Sequence, residues 1–506
     1  MDFRVKLRAG TPDDDNRTYL PEAIKGSDMV VNENGNNSQP YPERLIECRG
    51  VIADGLEDVW YEYVPASYDP SKKVPLVVGN HGGLMTGWGH AIYTSWTMVA
   101  DREGFICVFP NAHSLRMWIV EGVFDDFDPA AAPDLPIQSV PKDYRDNHDL
   151  KFLRGLIERM KEKYSIDEGR IFMQGMSMGN LMTDQFARYY GDILAGAAGS
   201  GGPSRLNLPF DEQGNLKNQG GHLPVWHSRP EKNGTPPGEN YSEYTTNKYN
   251  RFYWMKLNEC DPIPQISVIG EDNFAFYKGK KADLVYLDIK NRDHGQTLDE
   301  AFLYWDYFFS GTRREQDGTI VHTDSILPRV GDKFALAFTE GCATAWFENR
   351  VCELTTPVVR WQKLKYHGLN GGVRVRGEYL CAPLSFLSKV FGARYEPSTD
   401  TLTAVVTLKD GRVLQFARGS IGCVIDNDLR SMYCEALHRN DELLVGVEWF
   451  CKYLFNLQVS TSNGVVYITD HFAELSIFLA DLIKDLLKGC PMPSDFRQIE
   501  DQEPVE

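Results

Sequence analysis

Apolar runs rich in β-branched and aromatic residues alternate with segments of helical periodicity between Arg44 and Gly311. A run such as Val74 to Val78 is apolar at every position, which is typical of a parallel strand covered by helices on both faces. This alternation predicts a doubly wound, mostly parallel α/β sheet. The other predicted strands are Val59 to Val64, Phe105 to Phe109, Arg170 to Met173, Leu223 to Trp226, Ile266 to Ile269 and Leu284 to Ile289. A helix is predicted from Leu150 to Tyr164, with Asp146 or Asn147 as its N-cap.

A chain of 506 residues is too long for one hydrophobic core. Changes of composition along it predict five parts. They are an N-terminal extension (1–40), the α/β domain (41–312), a polar linker (313–330), a smaller α+β domain (331–472), and an amphipathic helix with an acidic tail (473–506).

The smaller domain contains an internal repeat at an offset of 64 residues. Leu380 to Tyr395 aligns with Leu444 to Val459, which pairs Phe391 with Phe455. Each copy is followed by a β-rich segment. The predicted module is therefore a strand, a short helix and further strands, used twice.

The net charge of −18 argues against a nucleic-acid partner, because binding to phosphates needs clustered Lys and Arg. No apolar run is long enough to span a membrane. The first 15 residues lack the apolar core of a signal peptide. Localisation stays open between the cytoplasm and export after removal of a leader.

Gly175-Met176-Ser177-Met178-Gly179 is a GxSxG sequence between a predicted strand and a predicted helix. A strand–turn–helix context is what a nucleophile elbow requires. The flanking glycines are needed because side chains next to a strained turn would collide. Ser177 is therefore the predicted nucleophile. The alternative is an ordinary glycine turn with a capping serine.

A serine hydroxyl needs a base, and in folds with this elbow the chain order is serine, acid, histidine. His294 follows the strand Leu284 to Ile289 in a short polar loop and precedes the last helical segment. It is the predicted base. For the acid we predict Glu231, the first carboxylate after the strand Leu223 to Trp226, with Asp261 and Asp272 as rivals.

His81-Gly82-Gly83 follows the strand Val74 to Val78. Glycines there allow backbone N–H groups to face a developing oxyanion, together with the N–H of Met178. Gly82, Gly83 and Met178 are thus the predicted oxyanion hole.

Two long segments without regular periodicity, Leu115 to Arg145 and Pro203 to His222, follow predicted strands. Ligands of α/β domains bind beyond the carboxyl ends of strands. We therefore expect these segments to wall the substrate pocket, with Trp118 as an aromatic platform and His81 also facing the substrate. Surface loops unconnected with the site are the alternative.

Residues 58–310 resemble the polyhydroxybutyrate depolymerase and feruloyl esterase family of α/β-hydrolases. The resemblance rests on YEYVP (Tyr61 to Pro65), VPLVVGNHGG (Val74 to Gly83), WTMVADREGFICVFPN (Trp96 to Asn111), YSIDEGRIFMQGMSMG (Tyr164 to Gly179) and WMKLNEC (Trp254 to Cys260). It implies Ser177 as nucleophile, Glu231 as acid and His294 as base.

The sequence departs from that family at three places. Glu231 stands where the family usually has aspartate, Met178 and Asn180 replace small residues after the serine, and no Trp-Pro follows His294. Since glutamate can serve as a triad acid, the predicted activity stands.

The repeats of the smaller domain resemble the copper amine oxidase N-terminal-like domain, which implies an accessory role in binding glycan or cell wall, or in packing. No His or Cys cluster with metal-ligand spacing occurs there, so we predict no copper. No cofactor and no metal are predicted for the chain.

Together the motifs predict a serine carboxylic ester hydrolase that forms an acyl-enzyme. The expected substrates are feruloyl or acetyl esters on plant polysaccharide, or polyesters and short acyl esters. The alternatives are a serine peptidase of related fold, and an inactive hydrolase-like protein that binds a surface through its C-terminal domain.

Overall fold

The computed structural model describes Val5 and residues 42–113, 116–123, 138–201, 210–211, 213–232, 243–366 and 373–492. The predicted N-terminal extension and acidic tail therefore lie outside the described residues, apart from Val5. The chain divides into two compact units. The first comprises residues 1–262, 276–329 and 494–503, and the second comprises residues 263–275, 330–493 and 504–506.

Eight hydrogen-bonded strands form the sheet of the first unit, in the order β1-β2-β4-β3-β5-β6-β7-β10. β2 pairs antiparallel with both of its neighbours, β1 and β4. The remaining pairs, from β4–β3 to β7–β10, are parallel. The strands up to residue 322 are β1 (Leu45–Val51), β2 (Glu57–Tyr63), β3 (Val74–Asn80), β4 (Ile106–Pro110), β5 (Ile166–Met176), β6 (Gly196–Ser200), β7 (Val225–Lys232), β8 (Gln265–Ile269), β9 (Asp272–Tyr277), β10 (Leu284–Asp293), β11 (Thr312–Arg314) and β12 (Ile320–His322). β8 and most of β9 belong to the second unit.

Helices connect these strands: α1 (Gly87–Tyr93), α2 (Trp96–Glu103), α3 (His148–Lys163), α4 (Met178–Tyr190), α5 (Glu243–Leu257) and α6 (Glu300–Tyr307). The predicted cap of α3 is present, because the Asn147 side chain accepts from the Leu150 N–H at 3.2 Å. β4 and β6 are buried along their whole length. The mostly parallel sheet with connecting helices is the α/β-hydrolase fold, as predicted.

One strand of this sheet, β6, carries no β signal in the sequence. β6 reads GAAGS and is built of small residues. Its small side chains admit close neighbours: a Cβ on Gly199 would lie 1.5 Å from the Asn180 Oδ1 atom. This segment therefore forms a strand because small residues fit between close neighbours, and not because its residues favour β structure.

Residues 313–330, predicted as a linker, are structured. β11 and β12 form an antiparallel hairpin in which Arg314 is buried. Its guanidinium donates to the carbonyl oxygens of Leu194 at 2.6 Å and His222 at 2.8 Å. Of the polar residues that suggested a linker, Arg314 is buried with backbone partners, whereas Glu315, Gln316 and Asp317 are exposed.

Most strands of the second unit are antiparallel hairpins: β13 (Ala335–Thr339), β14 (Thr344–Phe347), β15 (Arg350–Glu353), β16 (Val359–Tyr366), β17 (Val373–Pro383), β18 (Arg394–Pro397), β19 (Thr403–Thr407), β20 (Val413–Ala417), β21 (Gly422–Ile425), β22 (Asp428–Ser431), β23 (Leu437–Arg439), β24 (Glu442–Gly446), β25 (Gln458–Ser462) and β26 (Val465–Thr469). Its helices are α7 (Leu384–Val390), α8 (Val447–Phe455) and α9 (Ile477–Leu487). α9 buries Leu482, Ile483 and Leu486 within this unit. Of the helices in the described part of the chain, none combines the length and apolar character that crossing a bilayer requires.

The internal repeat is visible as two strand–helix–strand copies, β17-α7-β18 and β24-α8-β25. β17 and β24 pair antiparallel, with Pro383 opposite Leu444. The matched residues Phe391 and Phe455 stack on each other, with ring centroids 3.8 Å apart. The two copies therefore pack against each other and share one core.

Candidate active site

Ser177 lies in a sharp turn between the end of β5 and the start of α4. Its backbone adopts φ 55° and ψ −121°, a conformation that residues with a Cβ atom rarely adopt. The strand–turn–helix context expected of a nucleophile elbow is therefore present. The side chain is partly exposed, while most of β5 before it is buried.

The two flanking glycines are sterically required. A Cβ on Gly175 would lie 2.0 Å from the Gly179 carbonyl oxygen. A Cβ on Gly179 would lie 2.1 Å from the Asn80 oxygen and 2.5 Å from the His81 oxygen. The backbones of β5, α4 and the end of β3 therefore meet here at a distance that only glycine permits.

Ser200, at the end of β6, holds the turn. Its carbonyl oxygen accepts from the Ser177 N–H at 2.8 Å, and its hydroxyl donates to the Gly295 oxygen at 3.5 Å. Gly295 follows His294, so Ser200 connects the backbone of Ser177, the predicted nucleophile, to the loop of the predicted base. Sequence reasoning missed Ser200, because a serine in a run of small residues gives no signal.

His294 is the first residue after β10 and is exposed. The residues after it are anchored inside the same unit. Gln174 donates from its Nε2 to the Gln296 Oε1 at 2.9 Å, and the Gln296 N–H donates to the Tyr93 hydroxyl at 3.1 Å. Buried hydrogen bonds of Gln296 thus hold the loop on the carboxyl-terminal side of His294.

Glu300, at the start of α6, is a fully buried carboxylate that the sequence analysis did not single out. It accepts from the Tyr304 hydroxyl at 2.7 Å and from the Thr297 N–H. Burial raises the pKa of Glu300, and hydrogen bonds from Tyr304, Thr297, Ser200 and Ser228 lower it without cancelling that rise. Its contacts with Ser200 and Ser228 connect the start of α6 to the end of β6 and the middle of β7.

Glu231 lies inside β7, which runs to Lys232, and not in a loop after residue 226 as the sequence suggested. The strand is longer because its parallel pairing with β10 continues through Pro230. The Glu231 Oε2 atom accepts from the Asn291 N–H at 3.2 Å, and its Oε1 lies 3.5 Å from the Lys290 Nζ. Its carboxylate therefore contacts the end of the strand that leads to His294.

Asp261, one rival acid, lies toward the amino ends of the parallel strands, opposite the end at which Ser177 lies. Its N–H donates to the Lys278 oxygen at 2.8 Å, and the Asn258 side chain bonds both backbone groups of Leu223. These contacts lie before the first residues of β7 and β10, whereas Ser177 follows the carboxyl end of its strand. Asp272, the second rival, begins β9 in the second unit.

The His81-Gly82-Gly83 segment lies beside the elbow. A Cβ on Gly83 would lie 2.9 Å from the Met178 Sδ atom. Within the described residues, the backbone N–H groups of Gly83 and Met178 donate to no protein acceptor. Two such groups beside a serine hydroxyl are suited to stabilising a negatively charged oxygen.

His81 fixes the shape of this segment. Its Nε2 accepts from the Ala112 N–H at 3.0 Å, so the ring proton is on Nδ1, which donates to the Gly82 oxygen at 2.6 Å. Burial lowers the pKa of His81 to about 4, so the ring is neutral at pH 7. His81 is fully buried and supports the glycines without facing a substrate.

Trp118 is also fully buried, contrary to the expectation of an exposed platform. Its Nε1 donates to the His81 oxygen at 2.7 Å, and its ring packs on that histidine with centroids 4.9 Å apart. Trp118 thus supports the His81-Gly82-Gly83 segment through its contacts with His81. Much of the two predicted wall segments lies outside the described residues (115, 124–137, 203–209 and 212).

Three curated proteins resemble part of this chain. A bifunctional acetylxylan esterase/xylanase of Neocallimastix patriciarum is 24% identical over 143 residues, 28% of this chain and 17% of that protein. A poly(3-hydroxyalkanoate) depolymerase C of Paucimonas lemoignei is 28% identical over 144 residues, 28% of this chain and 31% of that protein. A feruloyl esterase B of Thermothelomyces thermophilus is 27% identical over 143 residues, 28% of this chain and 43% of that protein. The chain thus spans less than half the length of each.

Among solved structures, an acetyl xylan esterase from Aspergillus awamori matches 51% of this chain and 97% of its own, with 14% identity and a TM-score of 0.37. The feruloyl esterase module of Clostridium thermocellum matches 53% and 88%, with 14% identity and a TM-score of 0.34. No family model matches the chain.

Replacing Gly179 by alanine tests the close approach at the elbow. Its Cβ would lie 2.1 Å from the Asn80 oxygen, and overpacking of this kind costs about 1–3 kcal/mol or more. Gly179→Ala should therefore lower the urea midpoint of unfolding. Gly50→Ala is the control, because its Cβ would meet only the Trp60 ring, at 3.4 Å. Equal midpoints for the two variants would contradict this account.

Proposed function

We propose that the chain is a serine carboxylic ester hydrolase in which Ser177 is the nucleophile, His294 the general base and Glu231 the acid. The observation that carries the proposal is the backbone of Ser177, strained at φ 55° between β5 and α4. Strain of this kind persists only where the surroundings enforce it, and it clusters at functional sites. A merely capping serine would not need it.

In the proposed reaction, His294 takes the Ser177 hydroxyl proton as Oγ attacks the ester carbonyl carbon. The carbonyl oxygen becomes negatively charged and accepts from the N–H groups of Met178 and Gly83 or Gly82. The ester C–O bond then breaks, and the alcohol leaves with the proton held by His294. Water attacks the acyl-enzyme with His294 again as base, which releases the acid and restores Ser177.

Glu231 is proposed to hold the His294 ring in one tautomer and to stabilise its cation. Support comes from its contact with the Asn291 N–H, three residues before His294, and from its place toward the carboxyl end of β7. The Lys290 ammonium group lies 3.5 Å from the same carboxylate. Asp261 has neither feature.

For the substrate we propose feruloyl or acetyl esters on plant polysaccharide, or polyesters and short acyl esters. The support is that the similar proteins are named acetylxylan esterase, feruloyl esterase and poly(3-hydroxyalkanoate) depolymerase. Turnover of a panel of feruloyl, acetyl, p-nitrophenyl and hydroxybutyrate esters separates these classes. Hydrolysis of amide substrates at a higher kcat/KM than of every ester would favour the peptidase instead.

The second unit is proposed to be an accessory module that carries none of the hydrolytic residues. Its two strand–helix–strand copies share one core and resemble the copper amine oxidase N-terminal-like domain in sequence. A role in binding glycan or cell wall fits the polysaccharide esters proposed as substrates.

Ser177→Ala should reduce ester turnover by a factor on the order of 10⁶ and leave the fold intact, because only the reacting oxygen is lost. A fluorophosphonate probe should label the wild-type protein and not this variant. Ser71→Ala, at an exposed serine, is the control and should keep both properties. A wild-type protein that the probe does not label would indicate an inactive hydrolase-like protein.

Glu231→Gln should reduce kcat by a factor approaching 10⁴, since an amide holds the imidazole in the wrong tautomer and does not stabilise its cation. Asp261→Asn is the matched control and should be silent. The acid assignment is wrong if the Asp261 variant loses activity while the Glu231 variant keeps it.

A further inference from the structure

Three potential metal ligands meet in the first unit, away from the residues proposed for catalysis. Asp58 comes from β2, His113 from the segment after β4, and His148 is the first residue of α3. One ligand atom from each lies within 4.8 Å of the other two. The Asp58 side chain is fully buried, and those of His148 and His113 are 5% and 23% exposed.

The hydrogen bonds of Asp58 leave one of its oxygens for the two histidines. Its Oδ2 accepts from the Ile52 and Ala53 N–H groups, both at 3.2 Å. Its Oδ1 lies 2.8 Å from the His148 Nε2 and 3.6 Å from the His113 Nδ1. Two imidazole nitrogens therefore converge on one buried carboxylate oxygen.

A second carboxylate orients His148 from behind. The Nδ1 of His148 lies 2.9 Å from Asp54 Oδ2, and the Lys151 Nζ lies 2.6 Å from the other oxygen of Asp54. Both ring nitrogens of His148 thus face carboxylate oxygens. A metal ion between His148 and Asp58 would replace the Nε2 proton, while Nδ1 keeps its proton and donates to Asp54. A histidine that binds a metal is normally held in this way by a carboxylate on its other nitrogen.

The backbone on both sides of the cluster is fixed as well. The buried Asp149 accepts from the His113 N–H at 3.2 Å and from the Ile119 N–H at 2.7 Å. Among the residues that the structure describes, Lys151 is the one Lys or Arg that forms an ion pair with the carboxylates of Asp54, Asp58 and Asp149. The cluster is thus arranged for a cation.

We propose that Asp58, His113 and His148 bind a divalent transition-metal ion of the zinc type. Two imidazole nitrogens and one carboxylate oxygen are donors that Zn²⁺ accepts, unlike the all-oxygen sites of Ca²⁺ and Mg²⁺. Ligand bonds of about 2.0–2.1 Å in a tetrahedron separate donors by about 3.3 Å. The 2.8 and 3.6 Å separations bracket that value. The partly exposed side of His113 gives water the fourth position.

This ion would cross-link β2, the segment after β4 and the start of α3, because each of them supplies one ligand. Ala112, next to His113, donates its N–H to the His81 Nε2 at 3.0 Å. The ion therefore has a structural task next to the segment that supports Gly82 and Gly83. The sequence analysis predicts no metal, because the three ligands are far apart along the chain and follow no ligand spacing.

The test is titration of the full-length protein, first treated with a chelator, with Zn²⁺ alone. Calorimetry should give one Zn²⁺ per chain, with an increase in melting temperature. His113→Ala, at the most exposed ligand, should weaken the affinity at least 100-fold. Asp54→Asn should weaken it 10- to 100-fold through the orientation of His148. His438→Ala, a histidine of the second unit, is the control and should bind as wild type.

Absence of Zn²⁺ binding to the wild-type protein would overturn the proposal, as would an unchanged affinity in His113→Ala. Nitrogen-15 spectra give an independent readout that does not depend on a variant. With Zn²⁺ in excess, His148 should lose the signature of a doubly protonated ring. A doubly protonated His148 under that condition would mean that the cluster is an ion pair with Asp54 and Asp58 only.

Discussion

The site depends on the close approach of three backbone segments at the elbow. Gly175 and Gly179 bring the end of β5 and the start of α4 together, and Gly179 also lies against the end of β3. This contact holds Ser177 at positive φ and presents its side chain at the carboxyl edge of the sheet. Met178 also lies next to Gly83, where an added Cβ would come within 2.9 Å of the Met178 Sδ atom. Ser177, the proposed nucleophile, and the two N–H groups proposed to stabilise the oxyanion are thus positioned by one steric constraint.

A second level of organisation comes from polar groups buried around that contact. Ser200 joins the Ser177 backbone to Gly295, and Gln174 joins β5 to Gln296. His81 and Trp118 support the His81-Gly82-Gly83 segment, and both side chains are fully buried. Each of these groups would be costly to leave unpaired in the interior, so the network stabilises one arrangement of the loops. In this account, precision at the site comes from satisfied hydrogen bonds beneath it.

Much of the fold could be predicted from sequence, because apolar runs and helical periodicity report directly on burial. The α/β-hydrolase sheet, the Asn147 cap and the repeated strand–helix–strand unit follow from such local patterns. What could not be predicted depends on contacts between distant residues. The strand Gly196–Ser200 forms from small residues that only its neighbours explain, and β7 extends past Glu231 because β10 pairs with it. The burial of Trp118 and Arg314 and the meeting of Asp58, His113 and His148 have no local signature.

The most direct test of the central claim is a crystal structure of the protein with a phosphonate bound covalently to Ser177. We predict a phosphonyl oxygen within about 3 Å of the Met178 and Gly83 nitrogens. We also predict a His294 ring nitrogen within about 3.2 Å of Ser177 Oγ, and Glu231 within the same distance of the other ring nitrogen. An adduct on another residue, or another carboxylate bonded to His294, would contradict the account.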